Sequence, residues 1–325
     1  MSTSKRILPT LCLVMLFIYG GCDATGSNNE DSVGSFIGLR WNGVQEEIVS
    51  IDDVTGETTT LASVDLTWVR NNNFVLEPDG NRAFLLGRKE SDPDTLSRLY
   101  TIDLKDGTVS EIQISEPERG SIKFRVSTGD HLIGYRIIFQ SHLEIIEIDP
   151  ATGVIDVSAR VDVHGVVNNG FEIDLPENKV YVVGRKVLGD EDTYIYTVEL
   201  GSGRVSEVLL DDRGKVPHIF GVKDGQLLGS RVREESDGRY NELLTEIVEV
   251  DPQTGTAQVR ALYEFNGGYN LATGLTRDQE NMYTLGRVTT ESAVRLYIAE
   301  LNEGFYRSTI VDDIGVGGFY VVSKE

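Results

Sequence analysis

From Phe36 onward the chain alternates apolar and polar residues in short runs, each broken by a cluster of Gly, Asp, Asn or Pro. A period of two predicts strands, and the punctuation predicts tight turns between them. Helical periodicity is nowhere sustained. One stretch shows the pattern: Asn73–Leu76, Ala83–Arg88, Leu99–Leu104 and Val109–Ile114 are strand-like, separated by Pro78-Asp79-Gly80, the Ser91–Thr95 loop and Asp106-Gly107. Alternation within Ala83–Arg88 puts Phe84, Leu86 and Arg88 on one face, so an apolar row ends in a guanidinium.

This four-run pattern recurs. Six segments share a β-type run, an acidic residue and a Gly-containing turn: IVSIDDVTG from Ile48, LYTIDLKDG from Leu99, IIEIDPATG from Ile145, IYTVELGSG from Ile195, IVEVDPQTG from Ile247 and LYIAELNEG from Leu296. Their acidic anchors, Asp52, Asp103, Asp149, Glu199, Asp251 and Glu300, are 51, 46, 50, 52 and 49 residues apart. A second anchor, an Arg close behind a Gly, falls at Arg40, Arg88, Arg136, Arg185, Arg231 and Arg287, at intervals of 48, 48, 49, 46 and 56. The long last interval contains an expanded loop, Glu234 to Asn241, placed between repeated elements where insertions are tolerated.

Four short strands in a unit of about 50 residues is the pattern of a propeller blade, a sheet that buries its faces against its neighbours. The first unit begins at Phe36 in what should be a second strand, and an extra run, Gly318–Val322, follows the last unit. That run is expected to supply the first blade's innermost strand and to close the ring. The expectation is an all-β, six-bladed β-propeller over residues 35–325, with four antiparallel strands per blade. Blades ending in LYxID or its variants before a TG or DG turn resemble those of bacterial TolB-like, NHL-like and YVTN-like propellers. The resemblance implies the fold and leaves function open, because this architecture hosts enzymes, receptors and scaffolds.

The N-terminus reads as a sorting signal. Lys5 and Arg6 precede an apolar run from Ile7 to Tyr19, which ends in Gly20, Gly21 and Cys22. This run is shorter than the roughly 20 residues of a membrane-spanning helix. Small residues before a cysteine resemble the bacterial lipoprotein signal, which implies cleavage after residue 21 and acylation of Cys22. Tyr19 departs from the aliphatic residue usual in that signal, and plain secretion is the alternative. Residues 22–34 then form a polar, acidic tether. This places the chain in the envelope of a bacterium, lipid-anchored to a membrane and facing the periplasm or the exterior.

Composition narrows the classes. With 30 Lys and Arg against 52 Asp and Glu, a formal charge of −22 and 40% hydrophobic residues, the chain is neither disordered nor built to bind nucleic acid. Of its 2 cysteines, Cys12 leaves with the signal, so no disulfide holds the mature chain. A monomer is expected.

Candidate chemistry is sparse. The acidic anchors suit hairpin turns, their side chains accepting backbone N–H groups, with metal binding as the alternative. Each repeated Arg is expected to pair with a carboxylate of a neighbouring blade, or the six converge on an anion. Four histidines, His131, His142, His164 and His218, accompany no H-E-x-x-H, G-x-S-x-G or P-loop. Propeller geometry places any site at the channel mouth, where the loops entering the innermost strands carry Arg70, Asn72, Asn73, Lys123, Asn168, Asn169, His218, Tyr269 and Asn270. Such a set suits a neutral polar ligand, a sugar or a peptide backbone. Acidic loops at Glu90, Asp92 and Asp94, at Asp190, Glu191 and Asp192, and at Glu234, Glu235 and Asp237 form a negative rim. They are read as solvated charge, with weak Ca²⁺ binding as an alternative and no other cofactor expected. Two functions follow: a non-enzymatic propeller that binds a protein, peptide or glycan, or a hydrolase or lyase built on His218, with or without a metal.

Overall fold

The computed structural model describes residues 36–323 except position 67 and the segments 90–95, 116–119, 139–141, 188–190, 212–215, 237–240, 264–268, 277–278, 288–293, 302–305 and 312–319. The signal, Cys22 and the tether lie outside the described residues.

The strands follow one another without a helix among the described residues. Blade 1 holds β1 (Phe36–Trp41), β2 (Glu46–Ile51) and β3 (Thr58–Val64), and blade 2 holds β4 (Trp68–Leu76), β5 (Arg82–Arg88), β6 (Leu96–Asp103) and β7 (Val109–Ser115). Blade 3 holds β8 (Gly120–Ser127), β9 (Leu132–Ile138), β10 (His142–Ile148) and β11 (Ile155–Val161). Blade 4 is β12 (Gly165–Asp174), β13 (Lys179–Arg185), β14 (Tyr194–Glu199) and β15 (Val205–Leu209). Blade 5 is β16 (His218–Lys223), β17 (Gln226–Ser236), β18 (Asn241–Val250) and β19 (Ala257–Tyr263). Blade 6 is β20 (Tyr269–Leu275), β21 (Asn281–Arg287), β22 (Val294–Glu300) and β23 (Tyr306–Val311), and β24 (Tyr320–Ser323) follows.

Each of the six sheets has four antiparallel strands, and in blade 1 the innermost is β24, paired with β1 from Phe36↔Ser323 to Leu39↔Tyr320. The expected ring closure is therefore present. Six apolar clusters form the core, one at each junction of adjoining blades. Phe84 and Leu86 of blade 2 meet Ile122, Phe124, Ile146 and Ile148 of blade 3, all inaccessible to solvent. Burying each such side chain contributes roughly 1.5–3 kcal/mol. Across the closing junction Phe36 packs edge-on against Tyr283, with ring centroids 5.2 Å apart.

The repeated turns hold the blades in contact. Asp52 accepts the N–H groups of Val54 and Thr55 at 2.9 and 2.7 Å, and Asp149 accepts that of Ala151 at 2.7 Å and the Thr152 hydroxyl at 2.7 Å. Asp103 and Asp251 do the same with Lys105 and Gln253, each at 2.8 Å. The following Gly has a positive φ, as in Gly56, Gly153 and Gly255. It also lies against the outermost strand of the preceding blade: a Cβ on Gly56 would be 1.8 Å from the Ile310 carbonyl oxygen, and one on Gly255 2.0 Å from that of Leu209. The glycine is thus required by the turn and again by the neighbouring backbone.

Candidate functional site: the inner strands and their charges

The strands nearest the axis are β4, β8, β12, β16, β20 and β24, one at the end of each sheet. Five of them carry a bulge against their hairpin partner. Two of these bulges are wide. From Val69 to Phe74 strand β4 advances five residues while β5 advances two, and β12 does the same from Val166 to Phe171. Four residues there stand against one, and they are the Asn-rich pieces Arg70–Asn73 against Leu86 and Val167–Gly170 against Val183, so the sequence feature that marked these positions marks a backbone irregularity.

Asn73 is fully buried and bridges two blades. Its Nδ2 donates to the Ile122 carbonyl at 3.1 Å, and its Oδ1 accepts the Phe124 N–H at 3.0 Å. Strand β8 has no further strand on its axial edge, and this amide satisfies one donor and one acceptor there as a strand would. Asn73 therefore serves the scaffold. Arg70, Asn72, Asn168, Asn169, Tyr269 and Asn270 fall on β4, β12 and β20 as inner-strand residues, and their side chains lie outside the described residues.

Lys123 and His218 are half-buried on β8 and β16, and the structure adds two charges to them that sequence reasoning missed. Arg125 is the surplus residue of the β8 bulge between Phe124 and Val126, and Glu172 lies on β12. Their charged groups are 3.6 Å apart, an ion pair too long for a hydrogen bond, with side-chain exposures of 24% and 17%. Burial pushes the Glu172 carboxyl up to about 7, against the opposing pull of Arg125. Burial, reinforced by the Arg125 charge, lowers both the Lys123 ammonium and the His218 imidazole from their ordinary values. Three successive inner strands thus present two cations, a carboxyl that titrates near neutrality and an imidazole, all partly desolvated. Such groups bind polar ligands strongly because water competes weakly for them.

Three of the repeated arginines behave differently from expectation. Their carboxylate partners come from the same blade: Nε of Arg40, Arg136 and Arg231 donates to Glu47, Glu144 and Glu246 at 2.8, 2.5 and 2.6 Å across the hairpin. The register explains it, since each Glu stands directly opposite its Arg on the next strand. For these three a neighbouring blade is not needed.

Of the acidic loops, Glu191 and Asp192 are among the described residues, and the side chains of the other seven are outside them. No group of three metal-ligating side chains occurs among the described residues. A cavity of about 790 Å³ lies between blades 4 and 5, lined by Asp174, Glu177, Glu199, Glu207, Asp224 and Lys179 among others. It is a wide groove at the turns and shares no residue with the inner-strand charges.

No protein family and no curated protein matches the sequence. Solved structures match the fold. TolB from Acinetobacter baumannii superposes with a TM-score of 0.54 at 13% identity, over 89% of this chain and 66% of that one. The chain shares the TolB propeller architecture. A putative TolB from Agrobacterium tumefaciens gives a TM-score of 0.52 at 11% identity, over 85% of this chain and 89% of its own. Hydrazine synthase from Kuenenia stuttgartiensis gives 0.50 at 14%, over 87% and 80%. The chain spans about two thirds of the Acinetobacter protein's length, and at these identities the likeness is one of fold.

Proposed function

We propose that this protein is an extracytoplasmic lipoprotein, anchored through Cys22, whose propeller binds a peptide or glycan at the inner strands without transforming it. The observation that carries the binding reading is the Arg125–Glu172 pair with Lys123 and His218 beside it on β8, β12 and β16. Donors from Lys123 and Arg125 and an acceptor from Glu172 match the alternating carbonyl and N–H or hydroxyl groups of such ligands. The anchor rests on the Gly20-Gly21-Cys22 signal and the acidic tether after it. The cell envelope is the compartment that follows, and the architecture shared with TolB suits it.

Two experiments test this reading. Radiolabelled palmitate fed to an expressing bacterium should label the wild type and leave Cys22→Ala unlabelled and released from the membrane. Detergent-solubilised full chain on peptide and glycan arrays should retain a ligand that Glu172→Gln and Lys123→Met lose. Equal retention by both variants would remove the inner strands from the reading.

A hydrolase or lyase is the second reading, favoured by one observation: Glu172 is a carboxyl held near neutrality, on the strand next to that of a desolvated His218. Turnover by purified protein, abolished in both Glu172→Gln and His218→Gln, would replace the binding reading with this one.

A further inference from the structure

The repeat is built from pairs of blades. In blades 1, 3 and 5 the anchor reads Gly38-Leu39-Arg40, Gly134-Tyr135-Arg136 and Gly229-Ser230-Arg231, whereas in blades 2, 4 and 6 it reads Gly87-Arg88, Gly184-Arg185 and Gly286-Arg287. One residue of spacing moves a strand side chain to the other face. Arg231 follows Leu227 and Gly229 on the face of blade 5 that meets blade 4, and Arg185 follows Tyr181 and Val183 on the face of blade 4 that meets blade 5. Both guanidinium groups therefore belong to the same junction, where Glu246 is already bonded to Arg231.

Arg185 lacks what the odd blades supply. Opposite Arg40, Arg136 and Arg231 stands a Glu, while the register that pairs Gly184 with Tyr194 puts Thr193 opposite Arg185. In the three paired arginines it is Nε that donates to the carboxylate. In Arg185 that same Nε is buried and has no acceptor, and so is the hydroxyl oxygen of Thr193, a residue only 3% exposed. On its other side Arg185 faces Gly165, where Arg136 faces Ile122. A Cβ on Gly165 would meet nothing within 4 Å. Two side chains around this guanidinium are thus shorter than their counterparts in the odd blades, and two polar groups, the Arg185 Nε and the Thr193 hydroxyl, are buried there without a partner.

We propose that Arg185 and Thr193 form a binding site for the carboxylate group of a small ligand, at the end of the junction between blades 4 and 5. The ligand's carboxylate takes the place that Glu47, Glu144 and Glu246 occupy beside their own arginines: one oxygen accepts the Arg185 Nε–H, and the Thr193 hydroxyl donates to the carboxylate. The site uses neither Lys123, Glu172 nor His218, so it stands or falls apart from the inner-strand reading.

The test uses acetate as probe and the detergent-solubilised full chain. Sodium acetate should raise the Tm by about 2–4 °C over sodium chloride at equal ionic strength, in the range one weakly held anion produces. Arg185→Met should abolish the acetate-specific gain. Thr193→Glu, which restores the carboxylate of the odd blades, should raise the Tm without acetate and remove the response to it. Binding of ¹³C-acetate followed by NMR should give one site per chain in the wild type and none in Arg185→Met, with the far-ultraviolet circular dichroism unchanged. This keeps the test intact if Thr193→Glu fails to fold. An equal response to chloride and acetate, or acetate binding retained in Arg185→Met, overturns the proposal.

Discussion

The side-chain oxygen of Asn73 accepts the backbone N–H of Phe124 at 3.0 Å, joining residues 51 positions apart in two blades. With the second bond to Ile122 it treats the edge of β8 as a missing strand would. Asn73→Ala strands a buried donor and acceptor at once, so it should cost about 2–4 kcal/mol, read as a lower denaturation midpoint. Asn73→Asp keeps the acceptor and loses the donor, and should fall at least as far because a buried charge replaces an amide. A change under about 0.5 kcal/mol in Asn73→Ala would show that water replaces the amide at this edge.

Stability should depend on pH in two directions. Burial pushes the carboxyls of Glu46 and Glu172 up to about 7, so the folded state holds protons that the unfolded state has released. Their contribution is fully present below the unfolded value near 4.5 and is lost as pH rises through about 7. Hydrogen bonds and charge hold Glu47, Glu144, Asp149 and Asp251 below their ordinary values, and their contribution is lost as the solution becomes more acidic than that range. The optimum should therefore fall between about pH 4.5 and 6. Glu46→Gln and Glu172→Gln should flatten the alkaline side, as measured by denaturant melts from pH 4 to 8.

The turn glycines separate two effects. Gly255→Ala should cost about 3 kcal/mol or more, since its Cβ would lie 2.0 Å from a backbone oxygen of blade 4. Gly225 also has a positive φ, but a Cβ there meets nothing within 4 Å. Gly225→Ala should cost only the left-handed backbone penalty of about 1–2 kcal/mol. Equal losses would mean that the junction relaxes freely.

Truncation after residue 319 removes β24 and exposes the axial edge of β1. Calorimetry should show a Tm lower by about 10 °C or more and a broadened transition. A sharp transition within about 2 °C of the full chain would assign ring closure to the apolar junction of Phe36 and Tyr283 instead.

Much of this was legible in the sequence, because a repeat states each rule six times. The blade count, the turn role of Asp52, Asp103, Asp149 and Asp251, and closure by the last strand all follow from spacing and turn chemistry. Arg125 was not legible, since it is an extra residue in a bulge and strict alternation misplaces everything after it. The partner of each odd-blade arginine was within reach, seven residues on in the case of Arg40 and Glu47, but only once the hairpin register was fixed. Asn73 is expected in a loop entering an inner strand, whereas the structure puts it on β4, and its commitment to blade 3 depends on a contact between blades that no local pattern encodes.

The pairing of Phe36 with Ser323 also sets the order of events in folding. Hairpins within each blade need only local encounters, but β1 gains its axial neighbour only after the chain between Trp41 and Tyr320 has been made and wound into place. The latch therefore closes last, at the end of a long search. Until then β1 also lacks its axial neighbour, an edge to which another unfinished copy can add, and a chaperone that shields this strand would serve the protein best.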